Sequence, residues 1–520
     1  MVMGMEARLV LYAENEPWAL SASREAFERL HELDAVFSNY REDSELSRLM
    51  ATPVGERVQV SCELMQVLKS ARFFHEASAG AFDVTAAPLF EVWREARAVG
   101  HPPEAADISA ALSLSAADAF EVEAESGGLD FGRGHKPNCW VWFTKPVARV
   151  DLGGIAKGYA CAKVVYELRR KGIESALLQI GGDVAVSAPP PGRGAWLIEV
   201  GCGEGPLPPA RLAIADTSVS TSGDSEQHFV HEGVRYSHIV DPRSGQAMTD
   251  SFCVTVTSKR GEMADGLASS IRVLGLKAGA ELLANEVLAR VEPPRLFIDG
   301  QPWLTPSPEA SPGPWLNLLD GDLDAWEAVD DGAPVDTPAR ALDPAMLGDD
   351  GVLAIPSTAP SGWIRTRADY RDFQLRFDVK LARMANGGLF LRAARDGSNP
   401  AYSGCEIQLL DDFNWEAETN STLRDWQFTG SLYGAVPPGD RDAFGPIGTW
   451  NTVEVLFEDT RLAVMLNGRL LYDVDTHALD VSPAFAERAA LGAIGLQRYA
   501  APLVDGDTAV WVRHAFLREL

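Results

Sequence analysis

Apolar residues recur at helical spacing over residues 20–33 and again over 64–79, where Gly80 supplies a stop signal. Both stretches predict packed helices. A third run, 156–171, is rich in Ala, Leu and Val and follows a paired glycine turn, which predicts a helix entered from a tight bend. Short apolar or β-branched runs at 149–152, 175–180, 196–200, 212–218 and 253–257 read as strands. Helices and strands mixed in this order predict an α+β or α/β domain. From residue 315 onward the period shortens to two, in runs at 373–380, 388–393, 405–410, 452–458, 461–466 and 510–517 separated by Gly, Asp and Asn turns. This texture predicts an all-β sandwich, with Leu466-Asn-Gly-Arg469 as a hairpin turn.

A chain of 520 residues exceeds what one hydrophobic core usually organises, and the segment 302–314 holds five prolines with neither period. The expected organisation is a first domain over 1–301, a proline-rich linker over 302–314 and a sandwich over 315–520. With 74 acidic against 46 basic side chains the formal charge is -28, which argues against nucleic acid or an anionic membrane surface as main partner, because phosphate contacts need clustered Lys and Arg. A single dinucleotide held by backbone amides and a divalent metal remains compatible with that charge. The six cysteines form no C-x-x-C pair and stand at no zinc spacing with His, so scattered buried thiols are expected. No apolar run reaches the roughly 18 residues of a transmembrane segment, and no signal peptide is visible. As written the chain reads as cytoplasmic, or as cell-envelope or periplasmic if its start has been trimmed.

Two strings carry candidate chemistry. In Val150-Asp-Leu-Gly-Gly-Ile-Ala-Lys-Gly-Tyr159 the glycine turn lets the backbone approach a phosphate or expose a carbonyl to a metal, and the helix start offers N–H groups to an anion. The same residues serve a plain change of chain direction. In Tyr236-Ser-His-Ile-Val-Asp-Pro-Arg-Ser-Gly245 a His stands beside an Asp-Pro-x-Ser-Gly turn, and a capped β-turn with a surface His is the structural alternative.

Four further segments flank these in a fixed order: Phe37-Ser-Asn-Tyr-Arg-Glu-Asp-Ser-Glu-Leu-Ser47, Gly80-Ala-Phe-Asp-Val-Thr85, Thr221-Ser-Gly-Asp-Ser-Glu226 and Ala264-Asp-Gly-Leu-Ala-Ser269. Over roughly residues 1 to 300 the six together resemble the ApbE family of FAD:protein FMN transferases. The resemblance implies a T-fold-like α+β arrangement and a reaction in which a protein Thr or Ser hydroxyl attacks the FMN-side phosphorus of FAD and AMP leaves. Such chemistry needs a divalent cation, expected to be Mg²⁺, a base for the hydroxyl proton and a cradle for the dinucleotide.

Asp265 and Ser269 stand at i and i+4, on one face of a helix over 262–274, and with the Gly154 carbonyl they form the implied metal set. Asp265 and His238 are the implied catalytic residues, His238 as base, because imidazole suits proton removal near neutrality. FAD is implied to meet Gly153, Gly154, Lys157, Gly181, Gly182, Asp183, Thr221, Ser222, Glu226 and His238. The chain departs from the family at Gln179, where Asn is usual before Gly-Gly-Asp, and at Gly266 and Ser269, where Ala and Thr are usual; Gly266 is expected to loosen the helix start. The family's acceptor motif, Asp-x-x-Ser/Thr-Gly-Ala-Ser/Thr, has no full match. Asp425-Trp-Gln-Phe-Thr-Gly-Ser431 has one residue too many before Thr429, so the acceptor is expected to be another protein.

The second half resembles the 3-keto-disaccharide hydrolase family, a concanavalin-like jelly roll. The carriers are Gly351-Val-Leu, Asp372-Phe-Gln-Leu, Gly387-Gly-Leu-Phe-Leu-Arg392, Glu406-Ile-Gln-Leu-Leu-Asp-Asp412, Thr429-Gly-Ser-Leu-Tyr-Gly434, Gly448-Thr-Trp-Asn-Thr452 and Leu466-Asn-Gly468. Arg392, Glu406, Gln408 and Asp411 form the candidate sugar site, with Glu406 and Gln408 on one strand face. Two readings compete. In one the chain is an FMN transferase carrying a carbohydrate-related sandwich; in the other the first half only binds or hydrolyses FAD, and the second is the sugar hydrolase or a lectin-like module.

Overall fold

The computed structural model describes the chain except residues 1, 117, 126–137, 202–208, 224–226, 251, 284–294, 299–300, 303, 305–306, 308–309, 311, 321, 332–337, 358–359 and 500–507. Two compact units emerge: residues 1–192, 200–205 and 214–301 in the first, and 193–199, 206–213 and 302–520 in the second.

The first unit is built on an antiparallel sheet in the order Ala7–Tyr12, Ser175–Ile180, Asp183–Val186, Thr217–Ser222, Val254–Ser258, Arg295–Ile298, Gln301–Pro302. Helices Glu16–Phe37, Cys62–Ala77, Ala156–Arg170 and Gly261–Leu274 contribute Leu30, Leu33, Leu64, Phe74, Val164 and Leu267 to one core with Leu178 and Val256 of the sheet. The first two helix starts are capped as their sequences allow, Asn15 accepting from the Trp18 amide and Ser61 from the Leu64 amide. Two expected strands differ. The segment 149–152 joins no ladder: the Val150 carbonyl accepts from Asn39 and the Asp151 amide donates to the Val84 carbonyl, so neighbouring loops rather than a sheet take up these backbone groups. The run 212–218 is broken into Ala210–Ile214 and Thr217–Ser222 by Asp216, whose φ of 47° turns the chain.

The cysteines correct the expectation of scattered thiols. Cys62, at the start of one helix, is bonded to Cys139 in the strand Asn138–Phe143, with their Cα atoms 5.3 Å apart, and Cys253 is disulfide-bonded as well. Among the described residues, Cys161 and Cys405 are free and buried. A separation of 77 residues leaves no local sequence signal for such a bridge.

The second unit is a sandwich of two antiparallel sheets. One has the order Leu316–Asn317, Thr508–Glu519, Phe373–Leu381, Asn451–Glu458, Arg461–Leu466, Arg469–Asp475; the other runs Trp326–Asp330, Gly362–Thr366, Ala493–Arg498, Asn386–Ala393, Cys405–Leu410. Strict alternation sends Phe373, Leu375, Phe377 and Val379 of the first sheet and Leu389, Leu391, Ile407 and Leu409 of the second into a shared core. Asn467 and Gly468, both at positive φ, close the expected hairpin. The outer face of the larger sheet is also covered within this unit. Leu304 of the proline-rich segment packs with Leu456, Ala463 and Met465, and Arg211 of the segment 206–213 pairs with Asp378 at 3.1 Å. Among the described residues no helix is long and apolar enough to cross a membrane.

Candidate active site

The glycine-turn helix Ala156–Arg170 and the helix Gly261–Leu274 touch backbone to backbone. A Cβ added to Gly158 would lie 2.3 Å from the Gly261 carbonyl oxygen, and one on Gly261 would lie 1.9 Å from that of Gly158. Only glycine on both sides permits this approach. Its consequence is chemical, because it places Asp265 against the start of the other helix, where the Gly158 amide donates to Asp265 Oδ2 at 3.2 Å. Ser269, one turn on, comes to Gly154: a Cβ there would meet Ser269 Oγ at 3.2 Å. Gly266 lies well inside this helix, and the ring of Phe74 occupies the space a Cβ would take, at 2.2 Å. The glycine is thus an accommodation to Phe74 rather than a loosened helix start.

Asp183 enters from the sheet. The Gly181–Gly182 turn before it is held by the Gln179 side chain, whose amide donates to the Gly181 carbonyl at 3.1 Å, and by the Thr221 amide donating to the Gly182 carbonyl at 3.1 Å. The longer Gln therefore caps its own turn. Ser220 donates to Asp183 Oδ1 and lies 3.5 Å from Asp265 Oδ1, so one hydroxyl bridges both carboxylates. Lys157 Nζ stands 3.3 Å from Asp183 and 3.8 Å from Asp265 and donates to the Gly153 carbonyl.

Two buried carboxylates here share one ammonium. Burial, and then the charge of Asp183, push the Asp265 carboxyl up to about 7, against the pull of Lys157, the Gly158 amide and Ser220. Burial works against the charge on Lys157, yet Asp183 and Asp265 outweigh it and hold the ammonium above its ordinary range. The cluster is short of positive charge, and its donors are hard oxygens. Carboxylate, hydroxyl and backbone carbonyl are the ligand types a Mg²⁺ ion accepts, so the residues present fit a divalent cation.

A family model described as the ApbE family matches residues 3–291, more than half of the chain. The chain belongs to the ApbE family. A second model, described as the 3-keto-alpha-glucoside-1,2-lyase-like domain, matches residues 314–518, so an ApbE region is followed by a 3-keto-disaccharide hydrolase-like sandwich. The FAD:protein FMN transferase of Vibrio cholerae is 31% identical over 268 residues, spanning 50% of this chain and 75% of that relative. That of Treponema pallidum is also 31% identical, over 297 residues, 54% of this chain and 80% of the relative. The solved structure of the flavin transferase ApbE from Vibrio cholerae superposes over 57% of this chain and 91% of its own at 26% identity, with a TM-score of 0.47.

Within the ApbE region, the cluster gathers Gly153, Gly154, Lys157, Asp183, Asp265 and Ser269. Thr221 bonds Thr255 hydroxyl to hydroxyl at 2.8 Å, and Ser222 ends the same strand. Glu226 lies outside the described residues. His238 is exposed and follows the hairpin strand Val234–Ser237, with its Nδ1 3.1 Å from the Gln227 carbonyl. The turn after it is fixed by its own hydrogen bonds. Asp241 accepts from the Arg243 amide and guanidinium, and the Gly245 carbonyl accepts from the Trp93 indole at 2.9 Å. Two site residues carried no motif signal. Ser220 belongs to a plain β-branched alternation, and Gly261 precedes its matched segment.

In the sandwich the four candidate sugar residues separate. Arg392 is fixed between the Arg371 and Asp459 carbonyls and Asp372, over the Phe457 ring at 3.5 Å. Asp411 caps the helix Asp412–Thr419 and accepts from the Met384 amide at 2.8 Å. Both are spent on structure. Glu406 and Gln408 share the outer face of the strand Cys405–Leu410.

Proposed function

We propose that the chain transfers FMN from FAD to a Thr or Ser hydroxyl of an acceptor protein and releases AMP. The observation that carries this reading is the convergence of Asp183, Asp265 and Lys157 beside two glycine turns, inside a family whose relatives are named for that reaction. A divalent cation, taken as Mg²⁺, neutralises charge on the pyrophosphate when bound, and Asp265, Ser269 and the Gly154 carbonyl are the residues that would hold it. Lys157 adds a fixed positive charge, and in this reading the glycine turns, whose Gly153 and Gly181 amides already donate to Asp151 and to the Glu6 carbonyl, leave the backbone bare enough for the pyrophosphate to approach. His238 is assigned as the base that takes the acceptor's hydroxyl proton. With Thr221, Ser222 and Glu226 it completes the proposed FAD contacts.

The acceptor is a separate protein. Thr429, which sits in the internal segment nearest to an acceptor motif, is 5% exposed, and its hydroxyl donates to the Leu410 carbonyl. The sandwich is assigned as a carbohydrate-related module of the same chain.

Full-length protein incubated with FAD, Mg²⁺ and a peptide bearing Asp-x-x-Thr-Gly-Ala-Thr is expected to yield the FMN adduct by mass spectrometry, with AMP in equal amount. His238→Ala should slow adduct formation ~100-fold to ~10,000-fold while FAD affinity changes far less. Release of AMP and free FMN without any adduct would instead identify an FAD hydrolase.

A further inference from the structure

One hairpin has a place in the fold that the family boundary does not give it. Strands Trp196–Val200 and Ala210–Ile214 form a two-stranded sheet of their own, and both lie inside the ApbE match over residues 3–291. Yet residues 193–199 and 206–213 belong to the second compact unit, with the sandwich. Two strands this short are marginal in water and need a surface to pack on. Here Trp196, Leu212 and Ala213 are buried, the last two to 1% and 2% exposure.

The surface that covers them belongs to the larger sheet. Both backbone groups of Ala213 are taken up at the turn Asn467–Arg469: its amide donates to the Asn467 carbonyl at 2.9 Å, and its carbonyl accepts from Arg469 Nε at 2.7 Å. Arg469 is held in turn by Asp440, at 2.7 Å. The fit is close at two glycines, since a Cβ on Gly445 would stand 3.0 Å from Leu197 Cδ1 and one on Gly194 3.3 Å from Asp442. Arg211 reaches Asp378, a carboxylate 2% exposed on the strand Phe373–Leu381, which also accepts from Thr452 at 2.7 Å and lies 3.1 Å from His514 Nδ1 and 3.2 Å from Arg513 Nε. Burial works against the charge on Asp378, yet His514, Thr452 and Arg211 outweigh it and hold the carboxyl below its ordinary range. Removing one partner of a buried ion pair is costly, because the other is left in a place poor in water.

We propose that the hairpin is a clasp: a non-covalent hold of the ApbE region on the sandwich, strong enough to keep the two parts of the chain together when the peptide link between them is cut. The face of the larger sheet around Asp378 and Arg469 is thus a protein-docking surface whose partner is a segment of the same chain. The hold is independent of the reaction and of any ligand in either unit. Its docked strand is continuous with the candidate active site, because after the Asp216 turn the chain enters Thr217–Ser222, which carries Ser220.

The test cuts the folded full chain at a site-specific protease sequence inserted between Pro302 and Trp303, ahead of the Leu304 contact with the sandwich, and follows the pieces by size-exclusion chromatography without denaturant. At about 1 µM the two pieces are expected to elute together, at the volume of the uncut chain. Arg211→Ala with Arg469→Ala removes the partner of Asp378 and the donor to Ala213, and should raise the dissociation constant of the cut pieces ~30-fold or more. Near-UV circular dichroism of the uncut double variant should match the parent, which shows that both units remain folded. Arg211→Lys keeps the charge facing Asp378 and should weaken the hold less than ~tenfold. Pieces of the parent chain that separate on cutting would overturn the clasp. So would pieces that stay together as tightly in the folded double variant as in the parent, because the hold would then lie elsewhere.

Discussion

Asp265 in the ApbE region and Glu406 in the sandwich are both buried carboxylates lying against a glycine, and both are held above the ordinary carboxylate range. The routes differ. Asp265 is pressed by burial and by a second carboxylate, and it is partly relieved by an ammonium, an amide and a hydroxyl. Glu406 has burial alone and no relief. Charge crowding with hard-oxygen donors suits a cation, whereas an isolated acid over bare backbone meets no opposing charge. One symptom, a raised proton affinity, therefore has two origins in this chain, and only the surrounding groups distinguish them.

The largest effect expected from breaking this contrast comes from Asp265→Asn. Transfer should fall by at least ~1,000-fold, and Mg²⁺ should no longer raise the melting temperature. The substitution also tests the electrostatics of the free protein. The folded state keeps the Asp265 proton to about 7, whereas the unfolded chain releases it near the ordinary aspartate value of 3.8, so cation-free protein loses stability as pH rises through that window. Below it both states are protonated and the penalty is absent. In Asp265→Asn a melting curve measured from about pH 4 to about pH 8 should lose this component, and an unchanged slope would show that Asp265 is not the group responsible.

The two glycines give an intermediate test. At Gly158 a Cβ meets the Gly261 backbone, which cannot step aside, so Gly158→Ala should cost ~1–3 kcal/mol or more in denaturant titration and displace Asp265 as well. At Gly388 the obstruction is the far end of the Glu406 side chain, which can swing away. Gly388→Ala should therefore cost well under half as much, and equal costs would mean that the glycines serve the same purpose. The smallest effect belongs to Ser269→Thr, which keeps the hydroxyl beside Gly154; adduct yield is expected to stay within ~threefold of the parent. A larger loss would show that the residue is chosen for size.

Much of this was readable from sequence where a residue's role is local. Asp265 and Ser269 share a helix face by spacing alone, and Glu406 and Gln408 share a strand face by alternation. The strand Cys405–Leu410 and the hairpin at Asn467 followed from period two and from turn chemistry. What escaped depends on pairs distant in the chain. Gly158 against Gly261 and Phe74 over Gly266 are contacts between helices, and the motifs that hold Gly158 and Gly266 do not point to their partners. Ser220 looks like any strand serine until the sheet sets it between Asp183 and Asp265. Arg392 and Asp411 showed the converse, polar groups apt for a sugar whose hydrogen bonds the fold had already taken.

The claim that the Asp183–Asp265–Lys157 cluster is completed by a divalent cation is tested most directly by calorimetric titration of Mg²⁺ into the full chain with FAD present, in buffers of different ionisation heat at about pH 6 and about pH 8. Binding should release a proton at the lower pH, where Asp265 must give one up, and almost none at the higher, with tighter apparent affinity there. Both signals should vanish in Asp265→Asn. Binding with no proton release at either pH, or undiminished in Asp265→Asn, would place the cation elsewhere and contradict the account.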